Sequence, residues 1–219
     1  MSGIAITVTG LRDLGFDPTQ NRKAASMALN KVSRDMRTVI ARDIRRQIAF
    51  PASYLAPSAG RLYVGLTANP NRLTTKIVAR TRPTSLARFM VTGGTARGGR
   101  RRVVRVRVKP GRVKAMPRAF PVRLRRGLEN TDTAHNLGLA IRLKPGERVR
   151  NKREMVRFSA SDPTLYLLYG PSVQQAALNV GGTGLFRERA EMAARKLAAE
   201  YLRLLNVRGL FKKGGRRYG

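Results

Sequence analysis

A run of 85 residues in this chain contains no acidic side chain, which limits how the chain can fold. No Asp or Glu occurs between Asp43 and Glu129, whereas the same stretch holds 21 lysines and arginines. These cations repel one another, so their charge must be balanced by acids from elsewhere in the fold or by a partner. The sequence therefore predicts a strongly cationic surface that is neutralised from outside this stretch.

The whole chain shares this imbalance. It has 219 residues, with 45 Lys and Arg against 12 Asp and Glu, and a formal net charge of +33. Solubility alone needs a net charge of roughly 2–8. The apolar content of 42% is ordinary for a folded domain and too high for a disordered chain. The predicted partner is a polyanion, with nucleic acid first and an anionic membrane or an acidic protein surface next.

Several classes of protein are disfavoured by what the sequence lacks. There is no Cys and only one His, His135, so we expect neither a disulfide framework nor a metal site. No apolar run approaches the ~18–20 residues that span a bilayer, so we expect no membrane-spanning segment. Of the polyanions above, we expect nucleic acid or an acidic protein as the partner, and no membrane. The N-terminal residues lack the basic region of a secretory signal, which predicts a cytosol or an assembly made in one.

Two long amphipathic helices are predicted. Apolar residues recur every three or four positions from Ala25 to Ile48, after Asp17 as a candidate cap and before a stop at Phe50-Pro51. A second such pattern runs from Phe186 to Leu205. The polar face of the first helix is basic and comprises Arg22, Lys23, Lys31, Arg34, Arg37, Arg42, Arg45 and Arg46.

Short alternating or apolar runs predict strands between these helices, at 4–8, 61–66, 73–80, 87–91, 137–143, 155–158 and 165–169. We expect 87–91 to pair with 73–80, and 137–143 to form a hairpin with 155–158. The predicted fold class is α+β, with two long helices packed on one face of a mostly antiparallel sheet. We expect a single domain over 1–206 and a mobile basic tail over 207–219.

The most biased segment predicts a cationic β-hairpin arm over about 93–126. Three valines alternate with Arg105, Arg107 and Lys109, so one face of the strand is apolar and the other cationic. Residues 109–112 predict the turn and Val113 the start of the return strand. The candidate polyanion-binding residues are Arg97, Arg100, Arg101, Arg102, Arg105, Arg107, Lys109, Arg112 and Lys114.

Three interpretations of this arm stay open. It contacts a phosphate backbone, it pairs with acids of a neighbouring protein, or it is an unpartnered surface. No aromatic residue lies between Phe89 and Phe120, which disfavours single-strand recognition by base stacking. Contact with the backbone alone is the favoured form of nucleic-acid binding.

No arrangement of residues predicts an enzyme. A solvated helix face with ion pairs explains Glu188 and Glu191 better than paired catalytic carboxylates do. The other weak candidates are His135 beside Glu129 and Asp132, the serines Ser159 and Ser161, and the glycines around 93–99, which lack the ending of a phosphate-binding loop. We therefore expect no catalytic residue and no cofactor.

Residues 168–175, LYGPSVQQ, lie between a predicted strand and a predicted helix. This motif resembles the hallmark of the lambda-type minor tail protein Z family of tailed phages. The early basic helix AASMALNKVSRDMRTVIARDIRRQI occupies a similar place in that family. In physical terms Gly170 would permit a sharp change of direction, Pro171 would fix the turn and Ser172 would cap the helix, with Gln175 three residues on.

The resemblance implies a structural virion protein that completes the tail at its head-proximal end. It implies assembly in the host cytoplasm, as a ring, with other tail or neck proteins as partners and without catalytic residues. A ring around the exit path of a genome would place the cationic arm near DNA, with non-specific contacts, or near acidic neighbours. The alternative prediction is a free-standing nucleic-acid-binding protein of the ribosomal type.

Overall fold

The computed structural model describes residues 3–7, 18–95, 101–124, 137–148, 155–158, 162–182 and 185–207. It confirms the α+β class. The chain forms two compact units, which are described separately below. Unit 1 comprises Met1–Arg42, Gly60–Ala79 and Ala177–Gly219, and unit 2 comprises Asp43–Ala59 and Arg80–Ala176. The single domain predicted over 1–206 stays a prediction, and residues 208–219 of the predicted tail lie outside the described residues.

The described residues form three α-helices and eleven strands. The helices are α1 (Pro18–Gln47), α2 (Val173–Gly182) and α3 (Leu185–Val207). The strands are β1 (Gly3–Thr7), β2 (Leu62–Leu66), β3 (Thr74–Ala79), β4 (Thr84–Ser85), β5 (Met90–Thr95), β6 (Arg101–Val106), β7 (Lys114–Met116), β8 (Ala119–Arg123), β9 (Leu137–Arg142), β10 (Met155–Arg157) and β11 (Leu165–Gly170).

In unit 1 a three-stranded antiparallel sheet, in the order β1-β3-β2, is joined to α1 by polar contacts. The Ser33 hydroxyl is hydrogen-bonded to the Thr75 hydroxyl on β3. The Asn30 side chain both donates to the carbonyl of Ala68 at 2.9 Å and accepts its N–H at 2.8 Å. These bonds satisfy buried polar groups that would otherwise destabilise the fold. The cap predicted at Asp17 lies outside the described residues.

Helices α1 and α3 pack together in unit 1 through small and branched side chains. Ala24 and Ala28 form a buried cluster with Leu204 and Leu205. The buried stripe of α1 matches the predicted one and comprises Ala25, Ala28, Leu29, Val32, Met36, Ile40 and Ile44, the last in unit 2. Ile48, directly after the helix, is buried in unit 2 as well. Val39, also predicted on that stripe, is half-buried.

One basic residue assigned to the exposed face of α1 is buried. Arg37 is 7% exposed, and its Nε donates to the carbonyl oxygen of Leu62 at 2.9 Å. Its Nη2 has no hydrogen-bond partner among the described residues, and burial lowers the pKa of this guanidinium. The prediction of a fully solvated basic face was therefore wrong at this position, because Arg37 bonds to the backbone of β2.

In unit 2 the strands form two antiparallel sheets. One has the order β10-β11-β9-β8, with β4 paired to the end of β11, and the other has the order β5-β6-β7. Side chains of the first sheet and of Leu124, directly after β8, form a buried core that comprises Leu124, Ala140, Leu165, Leu167 and Tyr169. The described strands are thus antiparallel as predicted, but they are divided among three sheets rather than one.

Two predicted strand pairings were wrong. Strand β11 lies between β9 and β10 and pairs with both, so 137–143 and 155–158 do not form a hairpin. Residues Leu86–Phe89 form a 3-10 turn, and the strand that begins at Met90 pairs with β6 instead of β3. Both errors concern which strand lies beside which, because alternation specifies a strand's faces and not its neighbours.

Candidate polyanion-binding surface

Strand β6 separates apolar from cationic side chains. Val104 and Val106 are 1% and 2% exposed, whereas Arg105 and Arg107 are exposed. Successive side chains of a strand point to opposite faces, so the two arginines share the face opposite the buried valines. The predicted alternation is confirmed for residues 104–107, and we call Arg105 and Arg107 the cationic ridge.

The neighbours of the ridge leave it open. Arg105 lies opposite Thr92 on β5 and opposite Ala115 on β7. Directly opposed residues of an antiparallel pair share a face, so small side chains flank this guanidinium from both neighbouring strands. The Arg107 N–H donates to the carbonyl oxygen of Phe89 at 2.7 Å, which extends the pairing beyond the end of β6.

Strands β6 and β7, which we call the ribbon, are part of the packed body of unit 2 and do not form a separate two-stranded arm. Strand β5 adds a third strand, and the buried valines anchor β6. The Ala49 N–H also donates to the carbonyl oxygen of Val108 at 2.8 Å. A two-stranded hairpin is marginally stable by itself, whereas this sheet is held by its apolar face. The ridge is therefore presented on a three-stranded sheet whose other face is buried.

The predicted turn of the ribbon is confirmed. The Arg112 N–H donates to the carbonyl oxygen of Lys109 at 3.1 Å. Gly111 has φ +74°, a left-handed conformation that favours glycine, and it follows Pro110 as a tight turn requires. The turn reverses the chain into β7.

The other described cations of the predicted set lie away from the ridge. Lys114 is opposite Val106, so it projects from the apolar face of the ribbon. Lys109, Arg112 and Lys114 line an open groove on that side, whereas the ridge arginines do not. The prediction of one cationic face was therefore wrong, because the register of β7 places the predicted cations on two surfaces.

Arg97 and Arg100 lie outside the described residues, and Arg101 and Arg102 lie in β6.

The described cations of this region lack acidic partners. Within the part of the chain that the structure describes, none of the following side chains makes a hydrogen bond or an ion pair: Arg105, Arg107, Lys109, Arg112 and Lys114. All five are exposed. Their charge is therefore available to a partner.

Acids from beyond the acid-free run pair with two of its arginines, since Asp43 lies 3.6 Å from Arg46 and Glu147 contacts Arg118. Glu147 accepts from both terminal nitrogens of Arg118, at 2.9 and 2.7 Å, and from the Lys144 N–H at 2.9 Å. The Arg118 guanidinium, followed by the Lys144 N–H, lowers the pKa of Glu147 to about 2. Gly146, at φ +78°, forms the tight turn that orients this carboxylate. The contact neutralises Arg118 and leaves the cationic ridge uncompensated.

The Gly-Pro-Ser motif performs its predicted capping function. The Ser172 hydroxyl accepts the Gln175 N–H at 3.0 Å, and the Gln175 side chain accepts the Ser172 N–H at 2.9 Å. This reciprocal pair begins α2 and is confirmed. Pro171 lies between β11 and α2, where the missing N–H leaves no ladder bond unmade.

The reason predicted for Gly170 was wrong. The described residues with positive φ are Gly60, Gly111 and Gly146, so Gly170 has no conformation that requires glycine. A Cβ at Gly170 would instead lie 3.2 Å from Cε2 of Phe89. The absence of a side chain at Gly170 therefore leaves space for the Phe89 ring. That ring also contacts the Phe50 ring, at a centroid distance of 5.3 Å.

Of the candidates for catalysis, the structure describes Glu188 and Glu191 on α3. On α3, Glu191 is exposed and lies 4.0 Å from Arg195, one turn away, as on a solvated helix face. The described ranges contain no group of three His, Asp or Glu placed to hold a metal ion. The remaining candidates lie outside the described residues: His135, Glu129, Asp132, Ser159 and Ser161. Within the described part of the chain, no helix combines the length and the apolar character needed to cross a bilayer.

Comparison with protein-family models, with curated proteins and with solved structures finds no match to this chain. The resemblance of LYGPSVQQ to the minor tail protein family stays a prediction.

Proposed function

We propose that this chain is a structural protein of a tailed-phage virion that acts at the head-proximal end of the tail and contacts a polyanion through its cationic ridge. The observation that carries the proposal is the pair Arg105 and Arg107. Both are exposed on a fixed sheet, and neither has an acidic partner among the described residues. A binding surface of this kind needs no induced folding.

The ridge suits a phosphate backbone better than it suits bases. Two arginines on one face of a strand, at i and i+2, are about 7 Å apart along the chain, which is about twice the 3.4 Å axial rise per phosphate in one DNA strand. Val103 is the exposed neighbour on the same face, at 47%, and it offers no ring for stacking. Contact without sequence preference is therefore the expected mode, and it fits a protein that surrounds a passing genome.

The assembly part of the proposal rests on the resemblance and on charge. A monomer with a net charge of +33 repels itself, and a ring of such monomers needs anions to stabilise it. Large apolar side chains are exposed on the helices of unit 1, namely Leu178 at 61%, Leu202 at 55% and Val207 at 72%. Contacts between subunits would remove such side chains from water.

Electron microscopy and sedimentation velocity of the full-length protein, with and without duplex DNA, test the assembly. The proposal expects ring-shaped oligomers, stabilised by DNA, and labelling of the chain at the head–tail junction of virions that contain it. A protein that stays monomeric while binding structured RNA and duplex DNA tightly would support the free-standing nucleic-acid-binding alternative. Localisation away from the tail and neck would contradict the virion assignment.

A further inference from the structure

We propose that the open groove of unit 2 binds an extended segment of a second, different protein in which apolar and acidic residues alternate. The groove has a volume of about 660 Å³. One wall is formed by β7 and the turn before it, and the other by β9, β10 and β11. The groove is on the opposite face of the ribbon from the cationic ridge, so the inference does not depend on what the ridge binds.

The floor of the groove is apolar and adaptable. Met116 on β7 and Met155 on β10 both line it and are half-buried, together with Ile141 and Leu168 from the sheet between them. Val113 adds a side chain that is 48% exposed at the entrance. Methionine side chains adjust to different apolar partners, as binding surfaces for polypeptides require.

Two strand edges border the groove. In the described part of the chain, β7 pairs only with β6, and β10 pairs only with β11. An edge strand presents unpaired N–H and C=O groups, to which an extended peptide adds as a further strand. Alternate side chains of that peptide then point to one face, so apolar residues enter the groove while the intervening residues face its rim.

The positive charge of the groove's rim indicates which residues of the bound peptide would face it. Lys109, Arg112 and Lys114 are exposed and make no ion pair with any described residue. Aspartate or glutamate at every second position would neutralise them. A nucleic acid could supply the negative charge but has no apolar side chains to fill the floor, so the chemistry favours a polypeptide.

The occupant is not the basic segment at the end of this chain. Residues 207–219 contain five lysines and arginines and no acid, so electrostatic repulsion opposes their entry. The chain holds only 12 acids, and none lies between Asp43 and Glu129. A protein with an acidic, strand-forming segment matches the groove instead.

Binding of synthetic peptides to the full-length protein tests this inference. The probe is a fluorescein-labelled peptide that alternates Glu with Val, compared with a peptide of the same composition in which the Glu and Val residues are in separate blocks. We expect the alternating peptide to bind at least tenfold more tightly and to protect the amides of Lys114–Met116 from hydrogen exchange. Equal affinities, or no binding of the alternating peptide up to about 1 mM, would overturn the proposal.

Matched variants distinguish the groove from general charge attraction. Val113→Asp places an anion at the entrance and is expected to weaken binding of the alternating peptide about tenfold. Val91→Asp on β5 is the control, since Val91 is 46% exposed and lies outside the groove. Equal effects of the two substitutions would contradict a site in the groove. The double variant Arg105→Gln/Arg107→Gln should bind the peptide as the wild type does, which separates this proposal from that made for the ridge.

Discussion

Val104 and Arg105 are adjacent in the sequence and lie on opposite faces of β6, Val104 at 1% exposure and Arg105 in solvent. The buried Val104 side chain anchors β6 in unit 2, and the same strand carries the exposed charge of Arg105. Stability and charge presentation therefore depend on the same two-residue alternation of apolar and basic side chains, and substitutions can separate the two properties.

Val104→Ala should destabilise the protein by about 2 kcal/mol, because it removes two buried methyl groups and leaves a small cavity. Val103→Ala is the matched control on the same strand, since Val103 is 47% exposed. Its cost should stay within about 0.5 kcal/mol. Urea unfolding of both variants measures the difference, and equal costs would contradict the assignment of the two faces.

Loss of the Glu147 carboxylate should give a pH-dependent change in stability. The pKa of Glu147 is lowered from 4.5 to about 2 by Arg118 and by the Lys144 N–H, so its contribution is fully present above pH 4.5 and is lost as the pH falls towards 2. Glu147→Gln should therefore be less stable than the wild type at pH 7, and the two should converge near pH 2. Thermal unfolding across this range measures the gap, and a gap independent of pH would refute the interaction.

Ser172→Ala should cost about 1 kcal/mol, since it removes the hydroxyl that accepts the Gln175 N–H at the start of α2. The double variant Ser172→Ala/Gln175→Ala should cost less than the sum of the two single variants, because both residues act in one capping pair. Ser58→Ala, at an exposed site, serves as the control. Additive costs measured by urea unfolding would show that the two side chains act separately.

Gly170→Ala should destabilise unit 2 by about 1 kcal/mol, because the added methyl group comes within 3.2 Å of the buried Phe89 ring, which must shift to relieve the contact. Phe89→Leu alone also destabilises, since it truncates a buried ring. In the double variant the smaller side chain leaves space for the methyl group, so the combined cost should be below the sum. Strict additivity in unfolding free energies would mean that Gly170 is required for another reason.

Local features of the fold could be predicted because neighbouring residues determine them. The alternation around Val104, the Pro-Gly turn at Gly111 and the cap at Ser172 each depend on residue types at a fixed short spacing. Strand order depends on contacts between distant segments, and nothing local in residues 155–157 indicates that β11 will separate them from β9. Arg37 illustrates the same limit, since its burial depends on β2, 25 residues away.

The candidate surface was predictable in composition and not in shape. The excess of cations around Arg105 follows from the sequence, and so does the face that Arg107 shares with it. The position of Lys114 does not, because a shift of one residue in the register of β7 would move it to the other face. The groove formed by Met116 and Met155 combines two sheets, so no single segment of the sequence predicts it.

The affinity of the full-length protein for duplex DNA, measured against salt concentration, tests the function of the ridge most directly. Each phosphate contact adds about 0.9 to the slope of log K against log salt, so Arg105→Gln/Arg107→Gln should lower the magnitude of that slope by roughly 1.8 and weaken binding. The double variant should keep the wild-type unfolding free energy, since both side chains are exposed. If the wild-type protein does not bind duplex DNA, or if the slope is the same in the variant, the cationic ridge does not contact a polyanion.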